Sequence, residues 1–143
     1  MSLLSKIQTE LNAPKNQYNS FGKYKYRSLE DIFEGLKPIL KKYECSVSVV
    51  DEVVLVGDRY YIKASASLRD KDGNIVADGQ GWARESETKK GMDDSQVTGA
   101  TSSYARKYAL NGLFAIDDVK DADTDAYTSK TKEAQASTSS AWN

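Results

Sequence analysis

Val53-Val54-Leu55-Val56-Gly57-Asp58-Arg59-Tyr60-Tyr61-Ile62 places two β-prone clusters on either side of a Gly-Asp pair. β-branched and aromatic side chains suit a pleated, half-buried surface, and a glycine-containing pair between two such runs predicts a hairpin. The pattern extends in both directions. Upstream, Val47, Val49 and Val50 begin the first run; downstream, Asp72-Gly73-Asn74 predicts a second turn, because Asp-Gly tolerates the positive φ angles of tight hairpins. Ile75-Val76 opens a third run. Strands near 46–56, 59–69 and 75–86 then form an antiparallel meander. Gly79 and Gly81 in the last strand mark either a bulge or a close approach.

Helical periods flank this meander. Ser2 can cap a short helix over 2–12 with Leu4, Ile7 and Leu11 on one face, and Asn12-Ala13-Pro14 stops it. Residues 14–27 read as a loop running into an extended segment. Ser28 and Asp31 resemble a capping box, behind which Leu29, Ile32, Phe33, Leu36, Ile39, Leu40 and Tyr43 repeat at helical spacing. Pro38 inside this helix of 29–43 removes a backbone donor and is expected to kink it. A long helix is expected over 93–110, capped by Asp93 or Asp94, with a Val97, Thr101, Tyr104, Tyr108 stripe read as core. Small residues crowd around that stripe, namely Gly99, Ala100, Ser102, Ser103, Ala105 and Ala109, and allow a close helix contact. The fold class is therefore α+β: N-terminal helices, a three-stranded antiparallel meander and a long helix over residues 1–118. A polar tail over 119–143 is expected to be disordered, since its composition cannot offset chain entropy.

Composition removes whole classes of chemistry. The 143 residues contain no histidine and a single cysteine, Cys45. Histidine-dependent triads, common zinc hydrolase sites and thiolate zinc sites are thereby excluded. No Gly-Lys-Ser/Thr phosphate loop is present. No enzyme, cofactor or metal is expected. Asp121, Asp123 and Asp125 match the start of a calcium loop, but Ala126 stands where glycine is required and Lys132 where the bidentate glutamate belongs. The N-terminus lacks a basic region followed by an apolar core, so neither signal peptide nor membrane segment is expected, and the cytoplasm is the expected compartment.

The net charge of −1 divides unevenly. Residues 1–116 carry seventeen Lys/Arg against fifteen Asp/Glu, and residues 117–143 carry three against six. A faintly basic body thus precedes an acidic tail. Within the body, Phe21-Gly22-Lys23-Tyr24-Lys25-Tyr26-Arg27, if extended, projects Lys23, Lys25 and Arg27 to one side and Tyr24 and Tyr26 to the other. Such a ribbon offers cations for phosphates and rings on which bases stack. It reads equally as a strand edge whose tyrosines pack into the core. Further basic pairs are Lys89-Lys90, Arg106-Lys107, and Arg59 with Lys63 on one strand face; Arg84 is a weaker candidate. The acidic tail, with Trp142 near its end, reads either as a solvated linker or as a docking segment for a partner protein.

Two stretches together resemble the ERF (essential recombination function) family of phage annealing proteins: Lys23 to Ile32 continuing to Leu40, and Gln96 to Leu110 ending in Asp117-Asp118. Leu68-Arg69-Asp70-Lys71-Asp72-Gly73 between them resembles the family's inter-strand turn. The resemblance implies a β-β-β-α core that assembles into rings or helical filaments in the bacterial host cell. It also implies single-stranded DNA binding and ATP-independent annealing of complementary strands in phage recombination. The 23–27 segment and Arg106-Lys107 become the leading phosphate contacts, although the family often has a second arginine where Lys107 stands, and lysine lacks the bidentate fork. Two other classes fit the composition: a passive single-strand DNA or RNA binder or RNA chaperone, and an adaptor that never touches nucleic acid.

Overall fold

Residues 1–86 and 93–116 are described by a computed structural model of the chain. Its order is α1 (Leu3–Glu10), β1 (Gln17–Asn19), β2 (Tyr24–Tyr26), α2 (Leu29–Tyr43), β3 (Ser46–Val56), β4 (Arg59–Arg69), β5 (Ile75–Arg84) and α3 (Asp94–Phe114). The α+β class and the meander stand as expected, with β3-β4-β5 antiparallel throughout. Residues 14–27, expected to be a loop and an extended segment, instead hold a second small sheet, β1-β2. The expected disordered tail, the Asp121–Asp125 run, Trp142 and the Lys89-Lys90 pair lie outside the described residues.

Turn chemistry fixes the meander. Val56 pairs with Arg59, leaving Gly57-Asp58 as a two-residue loop whose first residue has φ 64°, the requirement of a II′ hairpin. The Asp70–Asn74 loop is longer. Asp70 accepts from the amides of Asp72 and Asn74, each at 3.0 Å, and Gly73 takes the left-handed position at φ 86°. The register shift falls beside it, at Leu68/Arg69.

Three helix starts are side-chain capped. Ser2 accepts from the Ser5 amide, while Ser28/Asp31 and Asp93/Gln96 form full capping boxes. α2 continues through Pro38 in one span. At the C-terminal end of α3, Gln8 Nε2 donates to the Leu113 carbonyl at 2.9 Å, which ties α1 to that end. Ile7, Ile32, Leu36, Leu68, Leu110 and Phe114 fill the core there.

Along the rest of α3 the packing is governed by size. The helix lies across β5 and β4, and every side chain that β5 turns toward it is Ala or Gly: Ala77, Gly79, Gly81 and Ala83. α3 answers with Val97, Thr101, Ala105, Ala109 and Leu113, a stripe spaced by four. A Cβ on Gly81 would collide with the Ala105 carbonyl and the Ala109 amide, and would sit 2.8 Å from Tyr108 Cβ. On Gly79 it would stand 3.2 Å from the Ala109 carbonyl and from Leu113 Cβ. The two glycines therefore serve a close approach and not a bulge.

This seam predicts that Gly81→Ala lowers stability by about 3 kcal/mol, the upper range for overpacking, because the colliding atoms are backbone. Gly79→Ala costs less, about 1 kcal/mol. Urea midpoints of the two variants check the order. A second expectation concerns acid. The Ser28 amide, donating to Asp31 Oδ2 at 2.8 Å, holds the Asp31 carboxyl below its usual 3.8, helped by Gln17 against partial burial. A depressed folded pKa stabilises above the unfolded value and loses that contribution as pH falls through the folded one. Melting temperatures should therefore drop on acidification below about pH 4, and Asp31→Asn should flatten this part of the profile by about 1 kcal/mol.

Candidate nucleic-acid interface

The β1-β2 hairpin owes its shape to Asn19. Its carbonyl accepts the Lys23 amide at 2.6 Å, its Oδ1 accepts the Gly22 amide at 2.9 Å, and its Nδ2 donates to the Tyr24 hydroxyl at 3.1 Å. Lys23 occupies the left-handed position at φ 57°. Lys23 and Lys25 are exposed, and Tyr24 and Tyr26 share a face with ring centroids 6.0 Å apart. The expected row of three cations stops at Lys25. Arg27 lies past the strand end and turns inward, 8% exposed, where its Nε donates to the Ala13 carbonyl at 2.6 Å. It braces the hairpin against the segment after α1.

The seam between α3 and β5 decides which way α3 presents its larger side chains. Tyr104 and Tyr108, read from sequence as core, are 52% and 48% exposed. Ala105 and Ala109 take the inward positions because no ring fits where two backbones nearly touch. Lys107 reaches the hairpin: its Nζ donates to the Arg27 carbonyl at 3.0 Å and lies 5.4 Å from the ring centroids of both Tyr26 and Tyr104. Tyr104 and Tyr108 are 6.3 Å apart. Burial, followed by the neighbouring Tyr24, Tyr108 and Tyr26, pushes the Tyr104 hydroxyl above its usual range. Beside it opens a groove of ≈ 300 Å³ lined by Tyr26, Ser28, Leu29, Glu30, Ala100, Ser103, Tyr104 and Lys107.

Arg106 points elsewhere. Its Nε donates to Asp51 Oδ1 of β3 at 3.0 Å, and the Ser102 hydroxyl donates to the other oxygen of the same carboxylate. That pair links α3 to the far strand, so Arg106 and Lys107, adjacent in sequence, serve different surfaces. Arg59 and Lys63 do share one face, as their spacing implied, but it is the face of the sheet turned away from α3. The structure thus gathers Lys23, Lys25, Tyr24, Tyr26 and Lys107 around the hairpin, turns the Arg27 side chain inward behind them, and places Arg106, Arg59 and Lys63 on other surfaces. Tyr104 and Tyr108 are the additions that sequence reading missed. Their neighbours Ala105 and Ala109, continuing the Val97-Thr101 spacing by four, carried the signal.

Comparison with known proteins adds the family. The profile described as ERF superfamily matches residues 2–142. The essential recombination function protein of Salmonella phage P22 is 62% identical over 133 residues, which cover 93% of this chain and 63% of that protein. The chain therefore spans less than two-thirds of the relative's length. No solved structure matches.

The Asp51 linkage carries its own prediction. Arg106→Ala and Asp51→Ala should each lower stability by about 1 kcal/mol, the scale of a half-exposed pair. The double variant should lose less than the sum, with a coupling of at least about 0.5 kcal/mol in urea melts. Fully additive losses would contradict the pairing.

Proposed function

The chain belongs to the ERF superfamily, and from that membership we propose that it binds single-stranded DNA and anneals complementary strands without a nucleotide cofactor, as an oligomer serving phage recombination. The observation that carries the reading is Lys107 held between Tyr26 and Tyr104, with Lys23 and Lys25 on the adjoining hairpin. Cations beside flat neutral rings suit a phosphate backbone with unpaired bases, and no base-specific donor set is needed. Complementarity between the strands supplies the specificity.

A single subunit neutralises few phosphates, so useful affinity needs repetition. Copies in a row would join their patches into one track, and avidity rises steeply when contacts are linked. The surface offers a means of self-association. β3 is an edge strand, and the β3-β4 tip exposes Val53, Leu55, Val56 and Tyr60 at 62, 56, 53 and 52%. An open apolar edge invites pairing with another chain. In this reading residues 1–118 form the annealing domain, residues 119–143 serve to dock host or phage replication and recombination proteins, and the bacterial host cytoplasm is the site of action. No helix among the described residues is long and apolar enough to cross a membrane. Catalysis has no part in the scheme.

Mixing complementary labelled oligonucleotides with the protein, without nucleotide, tests the proposal. Duplex formation should be faster than in the protein-free control; slower formation would mark a passive binder, and no effect would favour an adaptor. Changing Lys23 and Lys25 together to Glu should weaken single-strand binding. The variant should also flatten the plot of log affinity against log salt by about 1.4, since each lost single-strand phosphate contact contributes about 0.7.

A further inference from the structure

The open face of the β3-β4-β5 sheet carries aromatic rings and cations that the tyrosine cluster does not use. Trp82 of β5 and Lys63 of β4 are cross-strand partners, with Lys63 Nζ 5.5 Å from the indole centroid. Tyr61 meets the same indole edge-on, with centroids 6.4 Å apart. Trp82 is 44% exposed although it sits within the strand. Around the pair stand Arg59 and Arg84, the latter directly opposite Tyr61 in register. Among the described residues, this face holds Arg59, Lys63, Arg69 and Arg84 against Glu52 and Asp78, so it is basic where the whole chain is not.

The face is also continuous with the tyrosine cluster. A groove of ≈ 370 Å³ along the free edge of β5 is lined by Trp82 and Arg84 on one side and by Tyr104 and Tyr108 on the other. A strand lying across Tyr104 and Tyr108 therefore has an open path over that edge to the indole. We propose that the outer sheet face is a second stretch of the single-strand track, with Trp82, flanked by Tyr61, stacking on an unpaired base while Lys63 and Arg84 meet the adjoining phosphates. This rests on the single-strand binding proposed above and extends it to a named base contact. The choice of nucleic acid over a protein partner follows from the charge, because a second copy seated here would oppose one net-positive face to another, each with four cations and two carboxylates.

Trp142→Phe leaves Trp82 as the single tryptophan of the 143-residue chain. Binding is followed by anisotropy of labelled oligo(dT) and of an abasic oligomer of equal length, and Trp82 emission is read in parallel. Oligo(dT) should quench the emission strongly, while the abasic backbone should bind more weakly and leave it nearly unchanged. Trp82→Ala should cost oligo(dT) roughly tenfold in affinity, the scale of one base–aromatic stack, and should leave the abasic oligomer within about twofold. Oligo(dT) binding by anisotropy with unaltered Trp82 emission overturns the sheet-face site alone. Absence of binding by either oligomer overturns the single-strand reading together with it. The emission arm needs no change at Trp82, so it holds even if Trp82→Ala fails to fold.

Discussion

The rest of the molecule depends on how closely α3 can approach β5. At Gly81 the helix and strand backbones are near enough that even a methyl group would collide with two main-chain atoms of α3. That proximity excludes large side chains from the seam, so the buried stripe of α3 consists mainly of Thr101, Ala105 and Ala109, and hydrophobic bulk moves to Leu110, Leu113 and Phe114 at the C-terminal end. With the helix rotation set this way, Tyr104 and Tyr108 face solvent, Lys107 faces the hairpin and Arg106 faces Asp51. A different rotation would bury the rings and dissolve the surface on which the functional reading rests.

That surface joins two segments eighty positions apart. Arg27 and Lys107 fasten them: the arginine is committed to the Ala13 carbonyl, and its own carbonyl accepts the lysine. The lysine is thereby fixed above two rings, which lowers the conformational cost of presenting its charge. A chain of net charge −1 can still offer a strand a favourable surface, because Lys107 stands beside two rings and residues 1–116 carry seventeen Lys/Arg against fifteen Asp/Glu. With no histidine in the chain, no imidazole changes charge near neutral pH.

The meander was legible because its information is local. Alternating β-branched residues and glycine-bearing turns specify β3, β4 and β5 to within two residues, and the Ser28/Asp31 box specifies where α2 begins. The β1-β2 hairpin was not legible, since its strands are three residues long and its turn is organised by the Asn19 side chain, without an Asn-Gly or Asp-Gly pair. Arg27 looked like a phosphate ligand because its acceptor, the Ala13 carbonyl, is a tertiary contact that spacing cannot reveal. The α3 stripe misled for a different reason. Tyrosines at helical spacing outrank alanines in hydropathy, but burial here was decided by volume, a requirement recorded by the two glycines of β5 and by the spacing of Ala105 and Ala109 on α3. Half of the candidate site, the pairing of Lys107 with Tyr26, emerges only once hairpin and helix meet.

Hydroxyl-radical footprinting of tyrosines, with and without oligo(dT), tests the central claim most directly. With the seam as described, Tyr104 and Tyr108 oxidise readily in the free protein and become protected together with Tyr24 and Tyr26 when the strand binds, while Tyr43 on α2 is unaffected. Unreactive Tyr104 and Tyr108 in the free protein, or rings that stay fully reactive with the strand bound, would contradict it.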